Sequence, residues 1–232
     1  MNWKDIAISE DRTFFHVNGK MLFGRKFSNV LKFHEPGLAP VSDESGSYHI
    51  RADGQELYTD RYDRTFGYYF GYASVVKNNG YFHIDINGRR IYTRNYAWTG
   101  NFQEGVCVIR DNNNQYFHID GKGNPLYPKK YQYAGDFYEN ICCVKDTSGW
   151  KHIRRDGTDL YDLYFLDLKV FHKSIACAKD QKGWFHIDKS GQELYPQRYM
   201  DIEPFYNEVA LVTDFNLCKR LVNKLGDEIL NV

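Results

Sequence analysis

The strongest constraint on this chain is a phrase that returns every 33 to 35 residues. Tyr81-Phe82-His83-Ile84-Asp85, Tyr116-Phe117-His118-Ile119-Asp120 and Trp184-Phe185-His186-Ile187-Asp188 are near-copies. Phe15-His16-Val17-Asn18, Tyr48-His49-Ile50-Arg51 and Lys151-His152-Ile153-Arg154 are looser versions, and Arg220-Leu221-Val222-Asn223 is a version without histidine. A period near 34 residues marks a repeat architecture, in which each unit buries its apolar face against its neighbours.

The rest of each unit keeps register with the phrase. Glycines follow at Gly54, Gly88, Gly123, Gly157, Gly191 and Gly226, with Gly19 taking over in a shorter first copy. An apolar-aromatic pair comes next, as in Leu57-Tyr58 or Leu194-Tyr195, then single aromatics at Tyr62, Tyr96, Tyr131, Phe165 and Tyr199. A further aromatic stands at Phe33, Tyr68, Phe102, Phe137, Phe171 and Phe205, before a small-residue run such as Gly105-Val106-Cys107-Val108. Phe-His-Ile-Asp alternates with a strand period, which predicts Phe82 and Ile84 on one face and His83 and Asp85 on the other. Asp-x-x-Gly predicts a tight turn, because the carboxylate caps its own backbone and glycine accepts positive φ. No segment shows a sustained helical period with caps, so the unit reads as three or four short antiparallel strands.

The order aromatic-x-x-Gly-x-Ala-x-Val, then Asp-x-x-Gly-Trp-x-x-Ile-Asp-x-x-Gly, resembles the WG repeat family of largely bacterial proteins. Asp180-Gln181-Lys182-Gly183-Trp184-Phe185-His186-Ile187-Asp188 carries it most clearly, and Gly149-Trp150 is a second instance. Only these two copies keep Gly-Trp, and the histidine strand is a local elaboration. The resemblance spans residues 6–230 and implies modules often joined to other domains, so a larger multidomain protein is an expected context.

Small-residue strands are expected around Ile6, Leu38, Ala73, Val106, Ile141, Ile175 and Val209, apolar on both faces. Such a strand suits the innermost position of a propeller blade, where neighbours crowd it. The chain therefore reads as one all-β domain over residues 1–232, seven modules with the first and last incomplete. Start and end fall at matching phases, which favours a propeller-like ring of six or seven blades; an open β-solenoid is the alternative.

Lysine plus arginine and aspartate plus glutamate both number 30, so nucleic acid is not a favoured partner. No run is long and apolar enough to span a membrane, and Met1-Asn2-Trp3-Lys4-Asp5 does not open a signal peptide. Five cysteines without paired spacing fit a reducing cytoplasm. Equivalent histidines lie in different repeats, so we expect scaffold rather than a metal site, and no cofactor.

Function is then sought where a copy breaks its own pattern. The fifth unit departs most, through residues 161–173, where Asp167, His172 and Lys173 could hold an anionic group or do acid-base work. Trp98 is unique among the linkers and could stack on a sugar ring or base. The leading expectation is a non-enzymatic binding module presenting loops to a protein, small-molecule or glycan ligand. A lectin-like protein and an enzyme centred on the fifth unit are the alternatives.

Overall fold

The computed structural model describes residues 2–231, which form two compact units, Met1–Pro125 and Leu126–Val232. Among the described residues there are seven small antiparallel sheets and a single 3-10 turn, Trp3–Asp5. No helix is long and apolar enough to cross a membrane.

The fourth sheet of the first unit shows the pattern. A two-residue first strand, Trp98–Thr99, pairs with the middle strand Val106–Arg110, which pairs with the histidine strand Tyr116–Asp120. The sheet at the end of the second unit has a full fourth strand, Glu228–Asn231, after Lys219–Asn223. In the first sheet that strand is a two-residue one, Lys20–Met21, and elsewhere it survives as isolated bridges, Ile50 to Glu56, Ile84 to Arg90, Ile119 to Pro125, Ile153 to Asp159 and Ile187 to Glu193. The unit of three to four strands is therefore real, and it is one ladder worn down at its edges.

One expectation needs correction. The small-residue strand is not the inner edge of its sheet; in every sheet after the first it is the middle strand, paired on both sides. Its small side chains have a different cause. Ala39, Ala73, Cys107, Cys142, Ala176 and Ala210 each lie opposite the apolar residue that follows the histidine position, and all are buried. Bulk at that point is supplied by the partner strand's Ile50, Ile84, Ile119, Ile153, Ile187 or Val222, so a small neighbour fills what is left.

The histidine strand is also buried on both faces, since Phe82, His83 and Ile84 are all inaccessible. Its Asp turns its charge to local use: Asp85 Oδ1 accepts from the Asn87 and Arg89 N–H groups, at 2.9 and 2.8 Å. The glycine that closes this turn is required twice. Gly88 has φ +78°, and a Cβ there would stand 2.2 Å from Tyr58 Cδ1 of the preceding repeat. Gly19 in the first copy has the same φ but nothing within 4 Å.

The two glycines separate the two requirements. Gly88→Ala is expected to cost at least about 2 kcal/mol in urea unfolding, combining left-handed strain with overpacking. Gly19→Ala is expected to cost about 1 kcal/mol, from strain alone. Equal losses would remove the packing role assigned to the Gly–Tyr contact.

Candidate functional site

The recurring polar residues meet in a joint between consecutive sheets. In His49, Nδ1 lies 2.5 Å from Tyr58 Oη and Nε2 lies 2.8 Å from the Phe66 carbonyl oxygen in the next sheet. His83 repeats this with Tyr92 at 2.6 Å and the Gly100 carbonyl at 3.0 Å. His152 pairs with Tyr161 and the Lys169 carbonyl, and His186 with Tyr195 and the Glu203 carbonyl. A carbonyl only accepts, so Nε2 carries the proton, Nδ1 is the acceptor, and the tyrosine hydroxyl donates. Each ring also packs on the aromatic of the next sheet: His49 on Tyr68, His83 on Phe102, His152 on Phe171 and His186 on Phe205.

Both nitrogens of these four imidazoles are hydrogen-bonded, and a metal ion would have to break those bonds. The partner on the near side is tyrosine, and where the strand carries an Asp, as at Asp85 and Asp188, it stays in its turn. His16 is the exception that explains the shortened first copy. Its +9 tyrosine is replaced by Phe23 at a closer spacing, which has no hydroxyl, and the half-buried His16 accepts from the Gly19 N–H at 3.4 Å.

Part of the fifth unit's irregularity is also scaffold. Arg61 stacks on Tyr48 at 3.9 Å and Arg198 on Phe185 at 3.7 Å. At the corresponding positions the cation and ring have exchanged places, with the Lys151 ammonium 4.9 Å from the Tyr164 ring. Lys151 is 1% exposed and donates to Asp159 at 2.7 Å and Tyr164 Oη at 3.1 Å. Burial opposes its charge, but these hydrogen bonds win and raise its pKa. It is a satisfied internal ion pair.

The residues left over lie on the hairpin tips. His172 and Ile175 flank a two-residue turn, Lys173-Ser174, with φ of 48° and 69°. His172 N–H and Ile175 N–H close the turn on each other's carbonyls, at 2.8 and 3.1 Å. The His172 ring stacks on Tyr206 of the next tip, at 5.5 Å and 16°, and the Lys173 ammonium stands 5.8 Å from the same ring. His172 Nε2 is buried and has no hydrogen-bond partner among the described residues. Asp167 is placed apart from them. It sits opposite Lys179 at the far end of the hairpin, about 16 Å away along an extended chain. Trp98 is half-buried, opposite Arg110 and 6.4 Å from Tyr116.

Equivalent tips elsewhere carry exposed rings. Tyr206 is 69% exposed and Tyr138 53% in the second unit; in the first, Phe70 is 67% exposed and Tyr69 stacks on His34 at 4.8 Å. The first unit also holds a cleft of about 1000 Å³ lined by Trp3, Phe23, Pro36, Arg51 and Ile86 among others.

Two stretches of the sequence, residues 118–150 and 184–214, match the model of the WG containing repeat. These two stretches are WG repeats. No curated protein matches it. Two solved structures are similar across 98% of this chain: the computationally designed Ika8 protein, at 13% identity, 85% coverage of that chain and a TM-score of 0.51, and BamB from Moraxella catarrhalis, at 14%, 81% and 0.50. At such identity the likeness concerns the fold alone, a propeller-like array of repeated sheets.

The strand phase found His172 and Lys173 because they interrupt it. The tip rings Tyr138 and Tyr206 were legible in the same column, and the signal missed was that the column is aromatic. The first-unit cleft had only one signal, Arg51 standing where sister copies have Asp85, Asp120 and Asp188.

The joint makes the fold acid-sensitive. Burial lowers the pKa of His49, His83, His152 and His186 from 6.5 to about 4. Between those values the unfolded chain binds more protons than the native one, so stability is complete above about pH 6.5 and falls as pH drops toward 4. Each shift of that size corresponds to about 3 kcal/mol. Urea midpoints are expected to fall steeply from pH 7 to 4.5, in both units. An unchanged midpoint at pH 4.5 would refute the neutral-imidazole joint.

Proposed function

We propose that this chain is a non-enzymatic interaction module that binds a protein partner in the cytoplasm through its hairpin tips. The reading rests on one observation above others: exposed aromatic rings recur at equivalent tips, and Tyr206 is held as a platform by the His172 ring stacked against it. A tyrosine so supported offers broad amphipathic contact at little cost in side-chain freedom. Lys173 adds a cation beside it. The repeated polar residues are meanwhile occupied in the joints, and Asp167 stands away from His172 and Lys173, so no acid-base set gathers in the fifth unit.

Glycan binding is the second reading, since rings at several equivalent tips also suit sugar stacking. A photo-crosslinking residue placed at Tyr206 is expected to capture a discrete protein in cells, whereas one at the exposed turn residue Asn79 is not. Substituting Tyr138 and Tyr206 together by Ser is expected to abolish partner binding while shifting stability by less than about 0.5 kcal/mol. Equal labelling at Tyr206 and Asn79 would count against the protein-partner reading. Glycan-array binding lost with the same double substitution would replace it with the lectin reading.

A further inference from the structure

The cleft of the first unit has a lining that departs from the repeat. Trp3, Phe23 and Pro36 belong to the shortened first copy and its exit, and they form an apolar wall with Leu38 and Ile86. A second depression of about 370 Å³ shares Pro36 and Ile86 with it, continuing the groove past the exposed Phe70 to Glu35. The groove is open and elongated, a shape that suits an extended chain more than an enclosed small molecule.

Three charged residues line it, Arg51, Asp53 and Glu35, and Asp53 is engaged in its own turn. Arg51 replaces the aspartate that caps the turn in sister copies, and here Asp53 takes over, accepting from the Gln55 N–H at 2.9 Å. The Arg51 guanidinium is therefore released, and it makes no hydrogen bond or ion pair among the described residues. The other arginine at this repeat position, Arg154, is tied down to the Asp159 and Leu160 carbonyls. At the opposite end the exposed Glu35 side chain likewise has no hydrogen-bond or ion-pair partner among the described residues.

We propose that this groove binds a linear peptide segment of a partner protein, with apolar anchors between an acidic residue facing Arg51 and a basic residue facing Glu35. The assignment rests on the interaction-module reading and adds to the tips a site that selects sequence. Burying apolar anchors supplies affinity, and the two unpaired charges select the register and direction of the peptide.

Selection of a displayed library of random linear peptides against the whole chain tests this. Enriched peptides are expected to carry an acidic and a basic residue flanking aliphatic or aromatic ones. Arg51→Asp installs the residue that sister repeats already carry, so the turn is retained, and it is expected to weaken those peptides at least tenfold. Replacing the peptide's acidic residue by lysine is expected to recover much of that loss in the R51D chain. Tyr206→Ala is expected to leave peptide affinity unchanged. Failure to enrich any peptide would overturn the assignment, as would peptides indifferent to both Arg51→Asp and Glu35→Lys. Peptides lost with Tyr206→Ala alone would leave the interaction-module reading standing and remove the groove. Self-association of the chain that disappears with R51D would mean that a second copy fills it.

Discussion

A neutral imidazole, buried between two sheets and bonded at both nitrogens, is the contact on which the rest of this structure depends. It ties its own strand to the outgoing linker through a tyrosine hydroxyl and to the next sheet through a carbonyl. Because the acceptor is backbone, the joint does not care which side chain the next sheet presents there: Phe66, Gly100, Lys169 and Glu203 all serve. That tolerance lets the repeats diverge while their connection persists. What the joint does constrain is distance along the chain. Histidine, tyrosine and the next sheet's aromatic keep constant spacing in every copy where the joint forms. The extra residue in one unit falls instead within the exposed turn at 111–115, outside the bonded segment.

The same economy governs a buried charge, the Lys151 ammonium. The Arg-on-ring pairs at Arg61 and Tyr48, and at Arg198 and Phe185, are reversed at Lys151 and Tyr164 without loss of the interaction. A cation over an aromatic face is attracted from either side of the linker, so the pair can invert while each residue alone looks aberrant. Irregularity in a repeat is therefore informative only after compensated pairs are removed. What then remains uncompensated lies at the tips and in the first-unit groove: His172 against Tyr206, Phe70, Arg51 and Glu35.

These leftovers share a physical character. The tips hold residues such as Lys173 and Phe70 at positive φ, a conformation that favours glycine, and they keep large rings in water. Both features oppose folding slightly, and neither contributes to a joint. The scaffold bears them because its stability comes from the buried ladders and imidazoles beneath.

The repeat length, the strands, the Asp-x-x-Gly turns and the structural role of the histidines were all readable from the residues, since they depend on local periodicity and backbone preference. Tyr92 as the partner of His83, the middle position of the small-residue strand, and the separation of Asp167 from His172 were not. Each of these is decided by which element lies beside which, and periodicity gives a residue's phase within a repeat but not its neighbour across the joint. Arg51 makes the point most sharply. The sequence alone determined that it breaks the pattern of Asp85, Asp120 and Asp188. Only the tertiary structure decided that Asp53 relieves it of the turn and that a groove opens beside it, because both follow from how a shortened first repeat packs against the next.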